Sequence, residues 1–231
     1  MAFVIDSVQQ VSVPVAGSDK RFPVRRVYCV GRNYAEHAKE MGFTGREDPF
    51  FFSKPADAIL AVPQGETGKM PYPPKTSNLH YEMELVVAIG KGGKDIPVDQ
   101  AQAHVWGYAL GLDMTRRDLQ ADAKKQGRPW ETAKGFDLSG PIGPIHPVSA
   151  TGVIDKGAIT LDVNDTRRQV SDIDQLIWNI PETISYLSGL FELAPGDLIF
   201  TGTPEGVGAV VQGDVLVGKV DGLGELRVQI V

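Results

Sequence analysis

Disulfides cannot hold this chain together: it contains one cysteine, Cys29, and an intramolecular bridge needs two. That usage suits a reducing compartment, so a cytoplasmic location is the expectation. No stretch approaches the roughly 18–20 consecutive apolar residues of a membrane-spanning helix. The opening MAFVIDSVQQVSVPVAG lacks a charged start followed by a sustained apolar run, so no secretory signal is expected. Positive charge is also short: 23 Lys and Arg against 29 Asp and Glu leave a net charge of −6. Nucleic acid is therefore disfavoured as a partner. Small anionic substrates stay open, because a locally positive site can sit within an acidic protein. Helical periodicity is scarce, and alternating βαβ units are not evident, which argues against a doubly wound fold.

What is present is a chain of 231 residues, 42% of them hydrophobic, long enough to bury a core without staples. Gly (26) and Pro (16) cut it into many short segments. Most read as strands: Arg26–Val30, Glu84–Ile89, Val105–Leu110, Ala158–Val163, Asp197–Phe200, Asp214–Val220 and Glu225–Ile230, with a further buried strand from Phe50 ending in Lys54. Helices are predicted over Tyr34–Met41, Thr115–Lys125, Asp174–Trp178 and Glu182–Leu190. Asn164-Asp165 and Gly222-Leu223-Gly224 mark hairpin turns, and Pro181 suits a helix N1 position. Residues 1–24 read as an N-terminal arm before the core. The fold class is mainly β (α+β) with a few short helices.

The densest chemical signal is His80-Tyr81-Glu82-Met83-Glu84-Leu85-Val86-Val87-Ala88-Ile89. Side chains alternate along a strand, so Glu82 and Glu84 share a face about 6.5–7 Å apart. They run into an apolar stretch, which implies burial. Two buried like charges require either a proton on one of them or a cation between them. Asp113, just past the Val105–Leu110 strand, supplies a third acid if the strands are neighbours. Three carboxylates favour a hard cation, Mg²⁺ or Mn²⁺. The same spacing also describes an exposed edge strand with two solvated glutamates. His80 is either a further ligand on that face or a hydrogen-bonded neighbour.

Asn33 is a good N-cap, Glu36 a capping-box acid and Gly42 a stop for the Tyr34–Met41 helix. His37 and Glu40 then lie at i and i+3 on one face. A carboxylate beside an imidazole makes a general base for water; the alternative is a routine surface pair. Lys134, among Gly, Pro and aromatic residues, either stabilises developing oxyanion charge or is solvated. The loop Thr201-Gly202-Thr203-Pro204-Glu205-Gly206-Val207-Gly208 is an anion nest or a tight connection. Lys54, ending Phe50-Phe51-Phe52-Ser53-Lys54-Pro55, is a snorkelling surface residue or a substrate contact. Cys29 reads as a small buried apolar residue.

Six runs in order resemble the fumarylacetoacetate hydrolase family: Cys29–His37, Phe52–Pro55, Tyr81–Leu85, Gly111–Asp118, Lys134–Asp137 and Gly202–Gly208. They assign residues 25–231 to one catalytic domain with a mixed β-roll or sandwich core. Arg21–Tyr28, Met70–Pro74 and Leu176–Trp178 resemble the branch of that family that cleaves fumarylpyruvate during gentisate-type aromatic breakdown. The resemblance implies metal-dependent hydrolysis of a carbon–carbon bond in an acylpyruvate, giving fumarate and pyruvate in that case. It implies Glu82, Glu84 and Asp113 as ligands of Mg²⁺ (or Mn²⁺), His37 and Glu40 as the water-activating pair on a lid helix, and Lys134 as the oxyanion stabiliser. Arg117, Gln120 and Thr201 become substrate contacts, the partner a small anionic 2-oxo acid, and the assembly a homodimer. Oxaloacetate decarboxylation and 2-oxo-acid isomerisation are alternatives on the same fold. A non-catalytic cation-binding β-domain is the alternative outside it.

Overall fold

The computed structural model describes residues 3–34 and 46–231. Its largest sheet is mixed. Its order is β4 (Phe50–Lys54), β3 (Val27–Gly31), β15 (Leu198–Phe200), β8 (Met83–Ile89), β9 (Val105–Leu112), β11 (Gly140–Ile142) and β5 (Ile59–Ala61), with β12 (His146–Pro147) also on β9. A second sheet runs β14 (Thr166–Asp172), β13 (Ala158–Val163), β17 (Val215–Val220), β18 (Gly224–Ile230) and β6 (Thr67–Met70). A small sheet joins β10 (Thr115–Arg116), β7 (Leu79–Tyr81) and β16 (Gly208–Val210). The arrangement is α+β, a curled sheet with short helices, as expected. No helix among the described residues is long and apolar enough to cross a membrane.

The centre of the first sheet is apolar on both faces. All of β8 is buried, the continuous apolar run expected of a doubly covered strand. Its alternation divides two cores. Leu85, Val87 and Ile89 pack with Leu161, Leu216 and Val228 of the second sheet and with Ile184 and Leu187 of the Ile180–Leu190 helix. Val86 and Ala88 face the other way, against Phe200, Val13 and Phe22. Val13 and Phe22 come from β1 (Ser12–Pro14) and β2 (Arg21–Pro23), which pair antiparallel. Burying each of the Val, Leu, Ile and Phe side chains is worth about 1.5–3 kcal/mol. Gly111 is required by this packing: a Cβ there would lie 2.6 Å from Phe200 Cε1 and from Val86 Cγ2.

The predicted strands recur within two residues at both ends, and β13 has the predicted bounds. The Asn164-Asp165 turn takes φ of 49° and 61°, the mirror-image turn that tight hairpins favour. The helices differ more. Thr115 and Arg116 are not helical: they pair with His80 and Leu79, and the helix begins at Arg117. Of the predicted Asp174–Trp178 helix only a 3₁₀ turn, Ile173–Gln175, forms. The following residues are held elsewhere, Ile177 N–H on Asn33 O (2.8 Å) and Trp178 N–H on Asn33 Oδ1 (2.8 Å). Asn33 thus spends its side-chain oxygen on Trp178. Pro181 sits one position later than predicted, in a helix Ile180–Leu190 capped by Asn179. Tyr34 bridges to Leu176; the rest of the predicted Tyr34–Met41 helix lies outside the described residues, and with it His37 and Glu40.

Candidate metal centre

Antiparallel pairing of β8 with β9 builds the site. Met83 pairs with Leu112 and Glu84 with Gly111, so the next step of the register sets Glu82 opposite Asp113. Asp113 N–H donates to Glu82 O at 2.8 Å and fixes that step. The strand period turns Glu82 and Glu84 the same way. Carboxylate oxygens of Glu82, Glu84 and Asp113 all lie within 4.8 Å of one another, and all three residues are buried.

Cations surround them. Lys134 Nζ donates to Glu82 Oε2 at 2.7 Å and to Asp113 Oδ2 at 2.6 Å. Arg117 donates to Glu82 Oε1 at 2.6 Å and, through its other Nη, to Gln120 Oε1 at 2.6 Å. Gly202 N–H donates to Glu84 Oε2 at 2.8 Å. Gly202 has φ +99°, and a Cβ there would meet Asn33 Cβ at 2.7 Å, so glycine lets this loop reach the carboxylate. The Glu84 carboxyl is pushed well above the usual range, first by burial and then by Asp113 and Glu82, while Gly202 N–H and Lys134 pull it down. Burial alone would lower the Lys134 pKa, but Asp113 and Glu82 outweigh it and hold the ammonium charged.

Glu82 and Glu84 line a pocket of about 340 Å³, measured with its open mouth. Arg117, Gln120, Lys134 and Thr203 add polar lining, and Phe50, Phe52 and Trp130 form an apolar wall. Arg32, also lining it, lies over the Phe50 ring at 4.8 Å. Sequence reasoning missed Thr203, Arg32 and the aromatic wall. The signal for Thr203 was its place in the glycine loop; nothing local marked the aromatics as site residues. Thr201, the first residue of that loop, is buried and is not part of the pocket lining; its hydroxyl donates to Leu85 O at 2.9 Å. His80 is outside the carboxylate cluster, with Nε2 2.9 Å from Asn78 Oδ1. Burial and then Arg117 lower its pKa to about 4. Cys29 is buried and its thiol pKa is raised, chiefly by burial.

The donor set fits a hard divalent cation: it is all oxygen, buried and convergent. Asp113 Oδ1 is buried without a hydrogen bond, although Lys54 Nζ stands 2.8 Å away outside bonding alignment.

The family model described as fumarylacetoacetate (FAA) hydrolase C-terminal matches residues 26–231. The chain belongs to the fumarylacetoacetate hydrolase family. A fumarylpyruvate hydrolase of Ralstonia sp. is 50% identical over 184 residues, 80% of this chain and 93% of its own length. The crystal structure of a fumarylpyruvate hydrolase from Pseudomonas aeruginosa, in complex with Mn²⁺ and pyruvate, superposes with a TM-score of 0.98 at 61% identity and covers 100% of this chain and 99% of its own. A mitochondrial oxaloacetate decarboxylase of Dictyostelium discoideum is 41% identical over 199 residues, 86% of this chain and 90% of its own length.

Proposed function

We propose that this family member is a divalent-metal-dependent hydrolase that cleaves the carbon–carbon bond of an acylpyruvate, with fumarylpyruvate as its substrate. The observation that carries the reading is the convergence of Glu82, Glu84 and Asp113 beside Lys134, at a pocket that Glu82, Glu84, Lys134 and Arg117 line. The Pseudomonas aeruginosa relative, with its Mn²⁺ and pyruvate, supports the metal and the 2-oxo acid, and the Ralstonia sp. relative supports the acyl group. Mg²⁺ serves the same all-oxygen ligand set and is the proposed alternative to Mn²⁺. The proposed assembly is a homodimer.

Glu82, Glu84 and Asp113 would hold the cation. When bound, it draws electron density from the 2-oxo acid end and favours departure of the enolate. Arg117, braced by Gln120, offers its guanidinium to the substrate carboxylate. The Lys134 ammonium has three N–H groups and donates two to Glu82 and Asp113. The third is available to an oxyanion at the distal carbonyl. In the proposal His37, polarised by Glu40, takes a proton from the water that attacks that carbonyl. The bond to the pyruvate carbon then breaks, its electron pair leaves with the enolate, and protonation of the enolate completes fumarate and pyruvate from substrate and one water.

The test is loss of the enol absorbance of fumarylpyruvate, with Mn²⁺ or Mg²⁺ and with excess chelator. Metal-dependent loss yielding fumarate and pyruvate is the expected result. No loss by folded, metal-loaded protein would sink the assignment and move the assay to oxaloacetate. His37→Ala is expected to keep Mn²⁺ affinity and lose at least about 100-fold in kcat; undiminished turnover removes it as the base.

A further inference from the structure

Lys54 has no part in the chemistry above, yet it is buried at the end of β4 directly behind the site. It does not snorkel to the surface, and it is not part of the pocket lining. A buried ammonium is costly unless its donors are used, and its partners show where they go. Lys54 Nζ donates to the main-chain carbonyl of Lys134. It donates to Ser139 Oγ at 3.1 Å and at longer range to Met114 O, 3.4 Å. Ser139 Oγ in turn donates to the same Lys134 carbonyl at 2.9 Å. Two donors therefore converge on one acceptor, the backbone oxygen of the residue whose side chain bridges Glu82 and Asp113.

That carbonyl needs an external anchor. Lys134 is the last residue of a one-turn helix, Glu131–Lys134, and the terminal carbonyls of a helix have no partner within it. The Lys134 side chain is long and its Nζ must be placed to within a fraction of an ångström to serve a developing charge. We propose, on the basis of the functional reading above, that Lys54 is a positioning residue, fixing the main chain of Lys134 together with Ser139 so that the Lys134 ammonium is held at the reacting centre. Its own charge, 2.8 Å from Asp113 Oδ1, opposes a divalent cation rather than helping it.

Those two effects have opposite signs, and Lys54→Met separates them. The variant keeps the length of the stem and removes the donors and the charge. Mn²⁺ affinity, read by the electron paramagnetic resonance of free Mn²⁺, is expected to hold or rise. At saturating Mn²⁺, kcat for fumarylpyruvate is expected to fall about 10- to 100-fold, with KM within about threefold. In a Lys134→Ala background the same change is expected to cost less than about twofold, because the residue it acts through is gone. Ser139→Ala keeps the charge and is expected to lower kcat about three- to tenfold with Mn²⁺ affinity unchanged. If Lys54→Met does not fold, Ser139→Ala decides, and unaltered kcat there overturns the proposal. So does a Lys54→Met protein with wild-type kcat, one that loses Mn²⁺ affinity in step with kcat, or full additivity with Lys134→Ala. A wild-type protein that does not turn over fumarylpyruvate counts against the function proposed above and removes the basis of this one. Wild-type turnover beside an unaffected Lys54→Met counts against Lys54 alone.

Discussion

The two large sheets place acidic residues under different rules. In the eight-stranded sheet the central strand is covered on both faces, and the acids at its end are at most 6% exposed. There Glu82 is held by Arg117 and Lys134 at 2.6 and 2.7 Å. In the five-stranded sheet alternate residues face water, as the pattern of β17 shows. There Glu225 meets Lys219 at 3.5 Å with both side chains about half exposed, 49% and 52%. The residue types are the same, but only the buried set can do chemistry. Without hydration, each carboxylate must be neutralised by a proton, a protein cation or a metal. On the solvated sheet water does that work, and an ion pair adds almost nothing.

The largest effect that separates the two regions is expected for Glu84→Ala. Removing one of three buried oxygen ligands should weaken Mn²⁺ binding at least about 10- to 100-fold and reduce turnover in parallel. Glu225→Ala should leave both unchanged. Undiminished Mn²⁺ affinity in Glu84→Ala would refute its ligand role. The sign of the pH dependence follows from the raised Glu84 pKa, set first by burial and then by Asp113 and Glu82. Its proton must leave before the carboxylate can take a cation. Affinity should therefore weaken as pH falls through that raised value, by up to about tenfold per unit for one proton, and level off above it. Mn²⁺ titrations at a series of pH values check this; an affinity that rises as pH falls would reverse the account.

How much of this was legible depends on distance along the chain. The Glu82/Glu84 pair and the apolar run after it belong to one strand, where period-two alternation is a local rule, so both the face and the burial could be read. Asp113 needed one assumption, that two strands are neighbours, and the β8–β9 register supplies it. Thr115 and Arg116 resembled the start of a helix because the local pattern does not reveal that β7 waits to pair with them. Lys54 was ambiguous for the same reason. Its carbonyl and hydroxyl partners, Lys134 and Ser139, lie 80 and 85 residues away. The aromatic wall of Phe50, Phe52 and Trp130 joins residues of distant segments, and no spacing records that.

Gln169 links the two regions and gives the next effect. On β14 it is the one buried position in a strand otherwise exposed or half-buried. Its Oε1 accepts from Met83 N–H at 3.0 Å, and its Nε2 donates to Thr203 Oγ1 at 2.9 Å and Pro204 O at 2.8 Å. Met83 stands between Glu82 and Glu84, and Thr203 follows the glycine whose N–H holds Glu84. Gln169→Leu would leave a buried N–H and a buried carbonyl unmatched, at about 1–3 kcal/mol. Thermal unfolding should fall by roughly 2–10 °C, and Mn²⁺ affinity should weaken about tenfold. A stability loss with unchanged Mn²⁺ affinity would show that the second sheet supports the fold and leaves the metal ligands untouched.

The smallest effect belongs to a residue two positions earlier on the same strand. Arg167 pairs with Asp162 across the β13–β14 hairpin, as Lys134 pairs with Glu82, but its side chain is 49% exposed. Water solvates both partners once they separate, and salt screens them while they are together. Arg167→Ala should therefore shift the melting temperature by about 2 °C or less and leave Mn²⁺ affinity and kcat unchanged. A loss comparable to that of Gln169→Leu would mean that geometry and charge, independent of burial, decide what an ion pair is worth in this protein. The contrast between its two sheets would then need a different cause.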